Sequence, residues 1–384
     1  MFSNPQLYIF WLVLTCFIYW VIPHLKVRKA FLLTSSVVFL FSIAPYAVYA
    51  GIYFISLSLI WNKIWSKKRN SLTFWLSILS ALLPLYLSRS ASAFQTPLFA
   101  FGLAFMTVRA IGILLDLYRA TIRVSTFSES LYLFFFPIYS AGPVENLSTF
   151  SPAAYPKSAS LSLIVTSCFL LIVGIFKTTF ISEAILMTYM KSNWPDLVLN
   201  PEVHSTTQAW QFTFIRFLHT YINFSGYSDI AIGSGGLFGF KIQENFNFPF
   251  LAKNMQEFWK RWHMSMGAWI MRYVFFPLLA IFRTDKGIIF SSMMTFILMG
   301  LWHESSWTYF VWGLGHGIGM AVNHLTAKHF SRTKTYKAMK TSAAVSFFSI
   351  LLTLTYASFL QTFANMPTWN DGVNLVKMLL GWGS

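Results

Sequence analysis

Residues 30–61 read AFLLTSSVVFLFSIAPYAVYAGIYFISLSLIW, an apolar run without one charged side chain. A hydrocarbon core about 30 Å thick is crossed by roughly 20 helical residues, so this run is too long for one span. Pro45 decides how it divides. Its ring removes a backbone donor and clashes with the preceding turn, so a helix ends at Ala44 and another begins at Pro45. The stretch predicts a hairpin of two membrane helices returning to the side from which it entered.

Composition extends that reading to the whole chain. Of 384 residues, 56% are hydrophobic, 19% aromatic and 10% charged, against about 25% charged in a typical soluble domain. Long apolar runs recur as far as about Phe363. The expectation is an all-α polytopic membrane protein, one transmembrane domain over residues 1–384, with no soluble domain beside it. The first run, LYIFWLVLTCFIYWVIP at 7–23, lacks a basic leader and a small-residue cleavage site and reads as a retained span. Cys16 and Cys168 lie in apolar runs and make neither a disulfide framework nor a ligand cluster.

The net charge of +16 is unevenly placed. Basic clusters at Lys26, Arg28 and Lys29, at Lys63, Lys67, Lys68 and Arg69, at Arg119 and Arg123, and across 328–340 fall on the cytoplasmic side by the positive-inside rule, which puts the N-terminus outside. Two roles stay open for them: a solvated basic surface, or one that also attracts an acidic partner or anionic lipid. Nucleic acid is not expected as a partner.

Further helices are expected over 71–87, 97–117, 161–190, 208–223, 286–301, 306–327 and 341–363. Two stretches depart from simple spans. FFFPIYSAGPVEN (134–146) is broken by Pro137, Gly142 and Pro143, and GYSDIAIGSGGLFGFKIQENFNFPF (226–250) places five glycines and Asp229 at membrane depth. Irregular backbone there has to be buried in protein or line a wet cavity. In the next element, NMQEFWKRWHMSMGAWIMRYVFFPL (254–278), Trp259, His263, Met266 and Ile270 share one face if the segment is a single helix. The tryptophans suit a headgroup belt; His263 does not.

Five histidines sit away from polar segments: His219, His263, His303, His316 and His324. HESSW (303–307) has Trp307 where the second histidine of a zinc-binding H-E-x-x-H helix belongs, so no metal site is expected. The chain has no G-x-S-x-G elbow and no phosphate-binding G-K-[ST]. A histidine here is either a general base toward a hydroxyl or thioester within the membrane, or a structural side chain with a satisfied ring.

GYSDIAIG, ENFNFPF, EFWKRWHMSMGAWI, MGLWHESSW and WGLGHGIGMAVN occur in this order, after RAIGILLDLYR and FFPIYSAGP. Together they resemble the membrane-bound O-acyltransferase family over about 105–324. The closest likeness is to its bacterial export branch: the D-alanyl transfer members of teichoic-acid D-alanylation, then the alginate and peptidoglycan O-acetyltransferases. The resemblance implies a ring of membrane helices around a thin centre, with cytoplasmic and outer funnels. It implies His303 as the essential histidine and His263 as the second. Trp302, Glu304, Trp262, Asp229, Asn245 and His316 become candidate tunnel or substrate-lining residues. Glu304 stands where the branch usually has glycine. The implied donor is a phosphopantetheine thioester on a small acidic acyl carrier protein, or alternatively an acetyl thioester, with no bound cofactor. The acceptor is an extracytoplasmic acyl-relay protein or a polymer, and the location is the bacterial cytoplasmic membrane. Leu278, Leu279, Ile281 and Phe282, flanked by Arg283 and Lys286, form a candidate carrier dock. The competing class is a non-catalytic polymer or lipid transporter, which paired broken helices in two halves would favour.

Overall fold

A computed structural model describes residues 5–90, 97–123, 125–139, 141–150, 160–194, 204–333 and 341–382. The basic run at 328–340 is thus described only as far as 333. The described residues are overwhelmingly helical and contain no strand. Among the described residues, five helices are long and apolar enough to cross a membrane: Pro45–Trp65, Ser71–Arg89, Leu161–Asn193, Met264–Ile281 and Ala343–Ala364. The chain forms two compact units, one of residues 1–175 and 226–244, the other of 176–225 and 245–384.

In the first unit the break at Ala44-Pro45 separates helices Leu25–Ile43 and Pro45–Trp65, with the Ala44 N–H closing back on the Leu40 carbonyl and Pro45 starting the next helix. The expected break in 134–146 is present too, as a short 3-10 turn at Phe136–Ile138 after helix Thr126–Phe134. Arg28, expected in a solvated cluster, is instead buried; its guanidinium donates to the Ile22 carbonyl and lies over the rings of Tyr19 and Trp20.

The glycine-rich stretch differs from expectation in its first half. Residues 226–237 are not irregular but complete the long helix Thr206–Leu237. Their glycines serve packing: a Cβ at Gly233 would stand 2.6 Å from the Ser167 carbonyl oxygen, and one at Gly236 2.2 Å from Ser167 Oγ. Small residues let this segment and helix Leu161–Ile175 bring their backbones together, which is how membrane helices associate when lipid supplies no hydrophobic drive. Only at Gly239, with φ of 83°, does the helix end in a left-handed cap. Tyr8 and Ser234 hydroxyls meet at 2.6 Å, tying helix Pro5–Val21 to another face of the same segment.

The second unit is organised around three consecutive antiparallel helices: Met264–Ile281, Asp285–His303 and Trp307–Phe330. Thr284 and Ser306 cap the second and third by accepting from the Gly287 and Tyr309 amides. Glycines again set the spacing. A Cβ at Gly300 would lie 2.2 Å from the Tyr309 carbonyl oxygen, and one at Gly313 2.4 Å from that of Phe296. At the far end Asp285 pairs with Lys328 and, at 3.3 Å, with His324; hydrogen bonds from those two side chains hold its carboxyl below the usual carboxylate range. The amphipathic helix Trp369–Leu379 closes the unit, packing Leu375, Met378 and Leu379 against Met190, Trp194 and Phe212.

Because the obstacle at Gly300 is backbone, Gly300→Ala forces the two helices apart and should cost about 1–3 kcal/mol. Gly267→Ala is the control, its nearest neighbour being the Trp259 carbonyl at 3.8 Å. Thermal unfolding in detergent should show a lowered midpoint for the first and little change for the second.

Candidate active site

The expected single helix over 254–278 is broken, so Trp259, His263, Met266 and Ile270 do not form one stripe. A short helix ends at Trp259, His263 takes a left-handed backbone with φ of 45°, and a new helix starts at Met264. A non-glycine residue in that region is held there by its surroundings. Asn245 supplies the hold. Its backbone carbonyl accepts from the Met264 N–H at 2.9 Å, and its side-chain Oδ1 from the Ser265 N–H at 3.3 Å and Oγ at 2.8 Å. These are first-turn amides that no intrahelical carbonyl can reach.

The same oxygen fixes the state of His263. Nδ1 lies 3.0 Å from Asn245 Oδ1. Oδ1 already accepts a backbone N–H, so it is the oxygen of the amide, and Nδ1 must carry the proton toward it. In the neutral ring the lone pair is then on Nε2. His263 is buried, with Phe224 edge-on at 4.7 Å, and Trp262 packs against both Phe217 and Phe258, 5.4 Å from each.

His303 is the last residue of its helix and is exposed. Three aromatic rings surround its imidazole: Trp302 at 4.6 Å, Trp312 edge-on at 5.6 Å and Tyr309 nearly parallel at 5.8 Å. The Tyr309 hydroxyl reaches Asn365 Oδ1 at 3.4 Å. On the other side of Trp312 lies buried His316, 4.6 Å away, whose Nδ1 accepts from the Trp259 indole N–H at 3.3 Å. The Trp312 indole N–H is buried and has no hydrogen-bond partner among the described residues.

The helical order brings the two histidines to one end of the second unit. His263 precedes Met264–Ile281, and His303 ends Asp285–His303. These helices join at a tight turn through Phe282–Thr284, where the Thr284 N–H closes on the Phe282 carbonyl. Both histidines therefore stand at the open end of one hairpin, roughly 27 Å along the helices from its apex, and they lie within electrostatic reach of each other.

The apex carries the expected docking residues. Ile281, Phe282, Arg283 and Lys286 are exposed, while Leu278 and Leu279 are half-buried. Glu304 is exposed, and among the described residues no hydrogen bond joins it to His303; it acts electrostatically on Tyr309. Trp302 is half-buried beside His303. Thus His263, Trp262, Asn245, Trp302, His303, Glu304 and His316 belong to the second unit, whereas Asp229 belongs to the first. Tyr309, Trp312 and Asn365 were not singled out from the sequence; Tyr309 and Trp312 follow His303 closely, but Asn365 reaches the site only through the fold.

The pattern of the membrane-bound O-acyltransferase family matches residues 52–364. A teichoic acid D-alanyltransferase of Bacillus subtilis is 26% identical over 315 residues, 76% of this chain and 78% of that protein. A probable alginate O-acetylase of Azotobacter vinelandii is 30% identical over 229 residues, 58% of this chain and 44% of that protein. A peptidoglycan O-acetyltransferase of Helicobacter pylori is 32% identical over 215 residues, 53% of this chain and 40% of that protein. The match to these two acetylating proteins thus spans less than half their length. With its multi-pass helical architecture and a family match across most of its length, the chain belongs to the membrane-bound O-acyltransferase family.

Proposed function

We propose that the protein transfers an activated acyl group from a cytoplasmic thioester to a hydroxyl on an extracytoplasmic acceptor. The observation that carries this reading is the pair of histidines at the open end of the hairpin, within electrostatic reach of each other, one exposed and ringed by aromatics, the other fixed in a single tautomer. The neutral His303 imidazole takes the proton of the acceptor hydroxyl as its oxygen attacks the thioester carbonyl. A C–O bond forms and the C–S bond breaks. The imidazolium then returns the proton to the leaving thiolate, so the products are an ester and a free thiol. The Trp312 indole N–H is the nearby donor for the oxyanion that develops on the carbonyl. His263 steadies the charge on His303 and is itself oriented by Asn245.

D-alanyl is the leading acyl group, because the alignment with the D-alanyltransferase spans most of both chains. Acetyl is the second reading, supported by the higher identity to the acetylating relatives over the shared core. In the first case the donor is a phosphopantetheine thioester on a small acidic acyl carrier protein, and the acceptor is an acyl-relay protein or a cell-envelope polymer. The membrane is the bacterial cytoplasmic membrane, with the basic segments inside and the N-terminus outside.

Carrier docking makes a distinct demand on the hairpin apex. Arg283 and Lys286 steer an acidic partner toward exposed Ile281 and Phe282, with half-buried Leu278 and Leu279 beside them. Leu279→Asp should abolish detectable carrier binding in pull-downs, while Arg283→Gln should chiefly slow association and flatten its salt dependence. The decisive experiment supplies purified protein in proteoliposomes with D-alanyl-carrier or with a small acetyl thioester. Transfer from the carrier that is lost in Leu279→Asp supports the first reading. Undiminished transfer from the free acetyl thioester by Leu279→Asp, without carrier binding, supports the second.

A further inference from the structure

Trp312 and His316 stand one turn apart on helix Trp307–Phe330, so their rings share a face. Trp259 comes to that face from the short helix Met255–Trp259. The three rings touch pairwise, each pair edge to face: Trp312 and His316 at 4.6 Å, Trp259 and His316 at 4.9 Å, Trp259 and Trp312 at 5.8 Å. One hydrogen bond ties the triangle together, from the Trp259 indole N–H to His316 Nδ1 at 3.3 Å.

That bond settles the state of His316. An indole nitrogen only donates, so Nδ1 carries a lone pair, the ring is neutral and its proton is on Nε2. His316 is buried and reaches the base through Trp312, which meets His303 edge-on at 5.6 Å. Phe296 lies against both Trp259 and His316, at 4.9 and 6.0 Å, so the bonded pair is itself walled in.

Trp312 depends on such support. Trp20 and Trp210 anchor their indoles by donating to the Leu237 and Leu379 carbonyls. The Trp312 N–H is buried with no partner among the described residues. An N–H kept free for an oxyanion cannot also anchor its own ring, so the orientation of the indole is left to its neighbours. Trp259 also stands four residues before His263, at the end of the helix that breaks there. The same bond therefore joins the element of His263 to the helix that begins just after His303.

We infer that Trp259 and His316 are positioning residues: their hydrogen bond holds the Trp312 indole in the orientation that keeps its N–H at the carbonyl attacked beside His303. His316 carries no proton in the reaction. This rests on the acyl-transfer reading for the role of the Trp312 N–H, whereas the bond and the ring orientation belong to the resting protein.

The test uses the full-length protein and three variants. Trp259→Phe keeps the ring but not the donor. His316→Leu removes the acceptor, and His316→Asn returns one, since its Oδ1 takes about the place of Nδ1. The first arm needs no substrate: the protein is labelled with 5-fluorotryptophan in nanodiscs, and the Trp312 fluorine line is assigned by its loss in Trp312→Phe. A single narrow line is expected in wild type and His316→Asn, broadened or split in Trp259→Phe and His316→Leu. The second arm reads thiol release in proteoliposomes from D-alanyl-carrier or a small acetyl thioester, with glycerol-phosphate and uronic-acid oligomers as acceptors. Trp259→Phe and His316→Leu should lower kcat at least tenfold and change KM less than twofold, while His316→Asn stays within threefold of wild type with the pH profile unmoved.

An unchanged Trp312 line in Trp259→Phe overturns the inference, and that variant, which keeps every ring, decides if His316→Leu does not fold. His316→Asn no better than His316→Leu overturns it as well. A displaced pH profile in His316→Asn overturns it in favour of a proton-carrying histidine, and a raised KM at constant kcat in favour of a substrate-lining one. If wild type releases thiol from neither donor, the acyl-transfer reading fails while the fluorine line still decides the positioning bond.

Discussion

His303→Ala is expected to lower acyl transfer by about two to four orders of magnitude, the range that a positioned general base contributes. Insertion and thermal stability should change little. The side chain is exposed, ends its helix and leaves no closed cavity when truncated. The measurement is steady-state transfer in proteoliposomes, with the variant matched to wild type by thermal unfolding. Near-normal transfer would remove His303 from the role of base and favour the transporter alternative, in which export of the polymer itself should fall instead. His303→Gln is a useful companion, since it keeps size and hydrogen bonding but cannot carry a proton between hydroxyl and thiolate.

The second large effect is expected at His263 and its partner. His263→Ala should reduce transfer by about one to two orders of magnitude, because the group that orients and buffers the base is removed. Unlike His303→Ala, it should also lower stability, since the ring is buried against Phe224 and bonded to Asn245. Asn245→Ala deprives three donors of one acceptor, Ser265 N–H, Ser265 Oγ and His263 Nδ1. Leaving buried donors unsatisfied costs about 1–3 kcal/mol each. Asn245→Asp keeps the acceptor and so should retain more transfer than Asn245→Ala. Equal activity of the two would mean that the tautomer of His263 is of no consequence.

Much of this was legible in the sequence. The break at Ala44-Pro45, the spans and the basic segments follow from hydrophobic length, proline geometry and charge, each a property of a short stretch. His303 also stood out locally, because a histidine followed by glutamate in an apolar segment is conspicuous without knowledge of its neighbours. The ordered motifs pointed to the family before any geometry was available. Helix ends were read to within several residues; the largest difference was at residues 226–237, where glycines suggested loose backbone.

Gly233, Gly235 and Gly236 serve packing within the helix, each facing a close neighbour, Ser167 or Ile242. Composition registers a glycine but not what stands opposite it. The same limit hid the break at His263. Periodicity read 254–278 as one helix, whereas the competing hydrogen bonds come from Asn245, eighteen positions earlier. It also hid the relation of Tyr309 to Asn365. Hydrophobic pattern is a one-dimensional record of which face is apolar, so the sequence by itself determined the helices and the histidine that stands out. Tertiary packing alone decided which tautomer His263 holds and which rings enclose His303, because those depend on distances between residues that the chain separates.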